Sequence, residues 1–218
     1  MTGRRRTSAR PPGKRAKYLG PVRRRPQILE LAASLFAARG FSLPLDQIAK
    51  EAGLSKAVLY DCFPGGKEEL QVKVIERAEG LFCDEVVEAL QERTGDAATL
   101  VNVAVQAFLR FAERDAAAFD LLFGSAEMPG QRMRLRLRLV RARIDKVLTR
   151  LLMTRLREAG VDAERGDIVA LLGVASALAA QATGTRRAPL SEAVVSRATD
   201  VVARGLGGRL AGASMAVG

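Results

Sequence analysis

The chain has 218 residues, 48% of them hydrophobic and 27% charged, which is ordinary globular material, but its formal net charge is +11. Such a charge favours a polyanionic partner, nucleic acid or an anionic membrane surface. Histidine is absent, and the two cysteines, Cys62 and Cys83, fit no metal-ligand spacing, which argues against a metalloenzyme, a histidine-based hydrolase and a secreted disulfide protein.

The length allows one large or two unequal domains. No apolar stretch of signal-peptide type follows the basic amino terminus. The longest apolar run, Ile168 to Ala180, falls short of the roughly 20 residues that a spanning helix needs. The expectation is a cytoplasmic chain with no membrane partner, no metal and no cofactor.

Residues 1–25 carry Arg4, Arg5, Arg6, Arg10, Lys14, Arg15, Lys17, Arg23, Arg24 and Arg25 with no acidic residue, and these ten leave the remainder at a net +1. Pro11, Pro12, Gly13, Gly20 and Pro21 disfavour a helix or a core, so residues 1–22 read as a flexible basic arm. Two roles stay open for it, contact with DNA and a solvated tail.

Beyond the arm the pattern is helical. Pro26 suits the first position of a helix, Ile28, Ala32, Leu35 and Phe36 recur at helical spacing, and Gly40 supplies a stop. A second helix is predicted from about Leu45 to Ala52, a turn at Gly53 and Leu54, and a third helix over Lys56 to Phe63 capped by Ser55. A long fourth helix spans about 67–93, striped by Leu70, Val74, Ala78, Leu81, Phe82, Val86 and Leu90. Further helices follow at about 97–113, 115–123, 129–159, 163–183 and 190–207. Met133 to Leu139 alternates arginine with apolar residues like a strand, yet Met133, Leu137, Val140, Ile144, Val147 and Leu151 keep helical spacing. The fold class is all-α, with roughly nine helices.

Leu45 to Pro64 has the layout of a helix-turn-helix. Ile48 and Ala49 face inward, Gly53 accepts a sharp turn, and Leu54, Val58 or Leu59, and Phe63 pack the second helix down. Lys56, Ala57, Tyr60 and Asp61 are left to face outward, where a short helix presents its first residues to base edges in a major groove. A plain helical hairpin of the core is the competing reading.

The run RRRPQILELAASLFAARGFSLPLDQIAKEAGLSKAVLYDCFPGGKEELQVKVIE, residues 23–76, resembles the DNA-binding domain of the TetR family of bacterial transcriptional regulators. The matching pieces are the first helix ending in GF, then IA-x-x-AG-L-S-K, LY-x-x-F and K-E-E-L, in order and at the right spacing. The resemblance implies a homodimer on a palindromic double-stranded DNA operator, with residues 77–218 forming a domain for ligand binding and dimerisation. By position it places Ser55, Lys56 and Tyr60 against phosphates or bases, and Lys67 near the DNA backbone. Ala57, and Arg23 and Arg24 at the root of the arm, complete the candidate DNA-binding set. Two departures stand out: Pro44 replaces a common threonine or serine, in a loop one residue shorter, and Cys62 replaces a frequent polar residue.

In the rest of the chain, Phe82, Val105, Phe108, Phe123 and Leu137 are the candidate pocket residues, amid further bulk from Phe111, Phe119, Leu122 and Met133. The resemblance implies that this region encloses a small-molecule inducer. The few polar candidates inside, Asn102, Gln106 and Gln181, lean toward an apolar ligand such as a lipid, an acyl conjugate or a hydrophobic drug. Small residues along 168–180, with a companion stripe of Val194, Ala198, Val201, Val202 and Leu206, suit the dimer interface that the resemblance implies through helices 163–183 and 190–207.

Acid pairs such as Glu68–Glu69, Asp84–Glu85 and Glu113 with Asp115 are adjacent or nearly so on helices, point apart, and read as solvated faces rather than acid–base machinery. GLGGRLAG near residue 205 follows a helix, not a strand, and is no nucleotide fingerprint. Cys62 reads as a half-buried filler beside the recognition helix, with a redox sensor as the sharper alternative. The sequence thus points away from an enzyme and toward a ligand-responsive DNA-binding regulator, in its commonest form a repressor. The alternative is a basic helical protein that coats nucleic acid or an anionic membrane without sequence specificity.

Overall fold

The computed structural model describes residues 21–124, 130–183, 196–197 and 199–200. Among the described residues there are eight helices and no strand: α1 (Pro21–Arg39), α2 (Leu45–Glu51), α3 (Lys56–Cys62), α4 (Gly66–Gln91), α5 (Ala97–Arg114), α6 (Ala116–Phe123), α7 (Gly130–Glu158) and α8 (Arg165–Thr183). Residues 1–20 of the predicted arm, the companion stripe of the predicted ninth helix and the glycine-rich tail lie outside the described residues, whereas residues 21–22 of that arm open α1 instead of remaining irregular. The side chain of Arg23 also lies outside the described residues.

The first helix begins at Pro21, not at Pro26, which stands inside it. Pro21 takes the first helical position, where a missing N–H costs nothing, and Pro26 then forfeits one bond near the start of the helix. Ile28, Ala32 and Phe36 line the buried face of α1. Phe36 stacks on Phe41 at 4.8 Å between ring centroids, so the loop after α1 folds back onto it.

α2 and α3 are joined through Gly53, whose φ of +63° is a left-handed conformation that a β-carbon disfavours. Gly53 N–H donates to the Lys50 carbonyl at 3.1 Å and Leu54 N–H to the Ala49 carbonyl at 2.9 Å, closing the end of α2. The caps of α5 and α6 are acidic: Asp96 accepts from Thr99 N–H at 2.9 Å and Asp115 from Ala118 N–H at 3.0 Å.

α4 carries the architecture. Its stripe of Leu70, Val74, Ala78, Phe82, Val86 and Leu90 is buried against α5, α6 and α7, while α1 packs on α6 and on the start of α4. Phe82 is the hub of an aromatic cluster, 4.6 Å from Phe108, 5.1 Å from Phe111 and 5.0 Å from Phe123. Edge-to-face geometry dominates there, as ring quadrupoles favour. α8 packs mainly on α5, and also on α7 and α6, and buries Ile168, Leu171, Leu172, Ala175, Leu178 and Ala179.

The stretch that imitates a strand is helical, and one of its arginines, Arg136, joins two flanking ones in pairing α7 with α4. Arg132, Arg136 and Arg143 of α7 reach across to Glu68, Glu76 and Glu79 of α4, at 3.3, 2.7 and 2.5 Å. The buried stripe of α7 departs from the predicted one in its second half: Leu148, Leu152 and Leu156 face the core, whereas Val147 is 43% exposed and Leu151 is half-buried. Repeated steps of four residues overshoot a helical turn slightly, so the stripe winds around α7 as the helix follows its neighbours.

Candidate nucleic-acid interface and ligand cleft

The helix-turn-helix is built from the inside out. Ile48 and Ala49 of α2 and Leu59, Cys62 and Phe63 at α3 are buried, so Leu59 rather than Val58 is the main anchor of the second helix. A seven-residue helix with those positions buried leaves Lys56, Ala57, Tyr60 and Asp61 exposed on its other side. The Ser55 hydroxyl accepts from Val58 N–H at 3.3 Å, which caps α3. Pro44 occupies the corresponding place before α2 and offers no side-chain cap.

Lys56 stands at the start of α3, and its ammonium lies 2.9 Å from Asp46 in the first turn of α2. The hydrogen bond that Lys56 donates to Asp46, reinforced by the negative charge of Asp46, raises the Lys56 pKa, so the lysine stays cationic. Tyr60 is 43% exposed, and its ring rests beside Gly66: a β-carbon there would come within 3.3 Å of Tyr60 Cε1. Lys67 donates to the Ser42 carbonyl at 2.6 Å, and partial burial lowers its pKa. Arg24 is half-buried in the first turns of α1. Ser55, Lys56, Ala57 and Tyr60 therefore share α3 and its cap, while Lys67 and Arg24 stand on α4 and α1.

Two further residues hold this unit together, and sequence reasoning missed both. Gln71 is 6% exposed and donates to the Phe41 carbonyl at 2.7 Å. Arg25 donates to the Cys62 carbonyl at 2.7 Å and lies over the Phe63 ring. Gln71 was legible as a polar residue set in the inward stripe between Leu70 and Val74. Arg25 was hidden in a run of like charges.

Cys62 is fully buried rather than half-buried, and burial raises its thiol pKa. The acid pairs are more engaged than solvated faces. Glu69 meets Arg25, Glu85 meets Arg110 and Arg114, and Asp115 meets Arg77 in addition to capping α6.

Between α7 and α8 a cleft of about 320 Å³ is lined by Phe108, Phe123, Ile144, Leu148, Val169 and Leu172, with Asp145 and Ser176 as polar members of its lining. Phe82 packs against Phe108 and Phe123, while Val105 and Leu137 are buried without bordering the cleft. Arg141 stands at its edge and donates to the carbonyls of Leu122 and Gly124, closing the end of α6; burial lowers its pKa. The polar candidates lie elsewhere. Asn102 and Gln106 line a larger groove of about 790 Å³ between α4 and α5, with Glu85, Glu88 and Glu92, and Gln181 is exposed. The apolar stripe of α5 turns inward, so its polar side chains are carried to the outer groove.

Two short helices, α2 and α3, joined through Gly53 and each buried on one side and exposed on the other, form a helix-turn-helix. Residues 28–73, from α1 into α4 and including the whole helix-turn-helix, match the family model of bacterial regulatory proteins, tetR family. The transcriptional activator FasR of Mycolicibacterium smegmatis is 37% identical over 125 residues, 56% of this chain and 56% of FasR. The chain spans about half the length of the curated relatives it matches.

Among solved structures, the fatty acid degradation regulator FadR of Bacillus halodurans has a TM-score of 0.69 at 18% identity, over 83% of this chain and 98% of FadR. AibR in complex with isovaleryl coenzyme A and operator DNA has a TM-score of 0.60 at 18% identity, over 84% of this chain and 97% of AibR. At that identity the likeness is one of fold. Among the described residues no helix is long and apolar enough to cross a membrane.

Proposed function

We propose that this chain is a ligand-responsive regulator of transcription, a homodimer that reads a palindromic DNA site through α3 and leaves it when a small apolar molecule binds. The observation that carries the reading is the two-sided character of α3. Leu59 and Cys62 are fully buried, while Lys56, Ala57 and Tyr60 stand exposed beside the Ser55 cap. Those exposed residues make the base-edge and phosphate contacts, and Lys67, Arg23 and Arg24 add cations at the flanks.

The mainly apolar cleft between α7 and α8 takes the ligand, with Phe108 and Phe123 in its lining and Phe82, Val105 and Leu137 supporting them from the core. The acyl ligand in the AibR complex and the lipid-linked name of FadR support an acyl conjugate as its class. The exposed small residues of α8, Ala170, Gly173, Ala177 and Ala180, allow close approach of a symmetry mate, together with residues 190–207. Repression is the first reading of its sign. FasR carries the name of an activator, which favours the opposite sign as the second reading.

The test is a selection of random duplexes by the full-length chain, followed by competition. Enrichment of one palindrome that survives excess competitor DNA supports the reading; uniform binding supports a coat protein instead. A reporter placed behind the selected palindrome then decides the sign.

A further inference from the structure

Arg25 is one of three consecutive arginines, and its side chain, about half exposed, folds back onto the end of α3. Its Nε donates to the Cys62 carbonyl at 2.7 Å, and its guanidinium carbon lies 5.4 Å from the centre of the Phe63 ring. Its Nη2 is 3.4 Å from Glu69 Oε1, and the other oxygen of Glu69 accepts from Gly65 N–H at 2.7 Å. α1 supplies the cation, α3 ends on the carbonyl it holds, and α4 supplies the carboxylate. The turn from Phe63 to Gly65 is clasped between the two side chains.

The chemistry of the clasp is directional. Carbonyls at the end of a helix carry partial negative charge and attract a cation. A planar guanidinium with fixed N–H directions satisfies a carbonyl and a carboxylate together, which an ammonium does not reproduce. With side chains 45% and 25% exposed, the Arg25–Glu69 pair adds little to stability. What it fixes is the orientation of α3 against α4, and base readout depends on placement to about half an ångström.

We propose that Arg25 is a positioning residue for DNA recognition, with Glu69 as its counter-arm: together they aim α3, and neither needs to touch DNA. The inference rests on α3 being the DNA-reading helix. It separates from a phosphate contact, the ordinary role of an arginine in such a basic segment. Losing a phosphate contact weakens all sequences alike and lowers the salt slope by about 0.9, whereas losing aim reduces selectivity at an unchanged slope.

The experiment measures full-length wild type, Arg25→Gln, Arg25→Lys and Glu69→Gln on the palindrome selected by wild type and on a scrambled duplex of equal length, over a salt series. The expected result is a loss of affinity for the palindrome on the order of ten-fold in all three variants. Affinity for the scrambled duplex and the salt slope should stay near wild type. Glu69→Gln is the sharpest arm, since removing a negative charge near DNA strengthens a purely electrostatic complex.

Equal losses on both duplexes with a lower slope for Arg25→Gln, or tighter binding to both duplexes by Glu69→Gln, would overturn the positioning role. So would an Arg25→Lys variant as selective as wild type. If Arg25→Gln does not fold, the other two variants decide alone. A wild type that prefers no duplex would instead overturn the reading of α3 itself, and is recognised before any variant is compared.

Discussion

Gln71 donates its side-chain amide to the main-chain carbonyl of Phe41 across 2.7 Å, in the buried contact between α4 and the loop that follows α1. Beside it, Lys67 of α4 holds the next carbonyl along, that of Ser42. The first turns of the long helix are thus tied to the helix-turn-helix by bonds to consecutive carbonyls. A shift of α4 at this end carries α2 and α3 with it.

Removing the Gln71 donor should cost stability. Gln71→Met keeps the volume but leaves the Phe41 carbonyl buried without that bond, a penalty of about 1–3 kcal/mol. Denaturant unfolding of the full chain should show a lower midpoint at unchanged slope. Stability equal to wild type would mean that water replaces the amide.

Lys56→Ala and Tyr60→Ala should each weaken binding to the selected palindrome while leaving unfolding almost unchanged, because both side chains are exposed. A lost base-edge contact costs about 1–3 kcal/mol of discrimination. Lys56 must exchange Asp46 for DNA, so its net effect belongs at the lower end. Unchanged affinity in both variants would remove α3 from the interface.

Much of this region is legible in the sequence because its signals are local. Ser55, Gly53 and the outward set on α3 follow from capping, turn geometry and helical spacing, each decided within a few residues. Arg25, Gln71 and the ladder between α4 and α7 are decided by partners 30 to 64 positions away, as with Gln71 to Phe41 and Arg143 to Glu79. A charge in a run has no local mark of which member folds back to bond the protein. The cleft was half legible for the same reason: Phe108 and Phe123 reach it and Val105 does not, although all three share an apolar pattern.

Deleting residues 1–20, which leaves α1 whole from Pro21, should weaken binding to every duplex and flatten the salt dependence. The removed segment holds seven cations from Arg4 to Lys17. Each one engaged on a phosphate contributes roughly −0.9 to the slope of log affinity against log salt. Full-length and truncated chains with the same slope would leave the arm without a role in DNA binding.

Cys83 should make stability fall in alkali. Burial pushes its thiol up to about 11, helped by the negative charges of Glu79 and Asp84, from an ordinary value of 9.0. The unfolded chain therefore releases this proton first as pH rises. The contribution is complete below pH 9 and is lost between about 9 and 11. Unfolding free energy followed across that window should fall more steeply for wild type than for Cys83→Ala; parallel curves would show that the thiol ionises equally in both states.

Ligand and operator should oppose each other through α4. From Leu70, beside the bonds to Phe41 and Ser42, to Leu90 the helix is roughly 30 Å of continuous rod, so a small tilt at its far half displaces α3. The cleft meets this rod through Phe108 and Phe123, both packed on Phe82. In a dimer the two α3 helices must match half-sites about 34 Å apart, so a ligand that prefers a mis-spaced arrangement lowers operator affinity by its preference ratio. Linkage then requires the operator to lower ligand affinity by the same factor. Acyl coenzyme A thioesters of graded chain length are suitable probes, titrated with and without saturating palindrome. Ala142→Phe gives the control: Ala142 is an exposed residue of α7 that borders the cleft and lies outside the small-residue face of α8 proposed for the dimer, so the larger side chain obstructs the cleft without touching that face. It should abolish the acyl effect while palindrome binding persists. Equal acyl affinity with and without DNA in the wild type would detach the cleft from regulation, whatever else it binds.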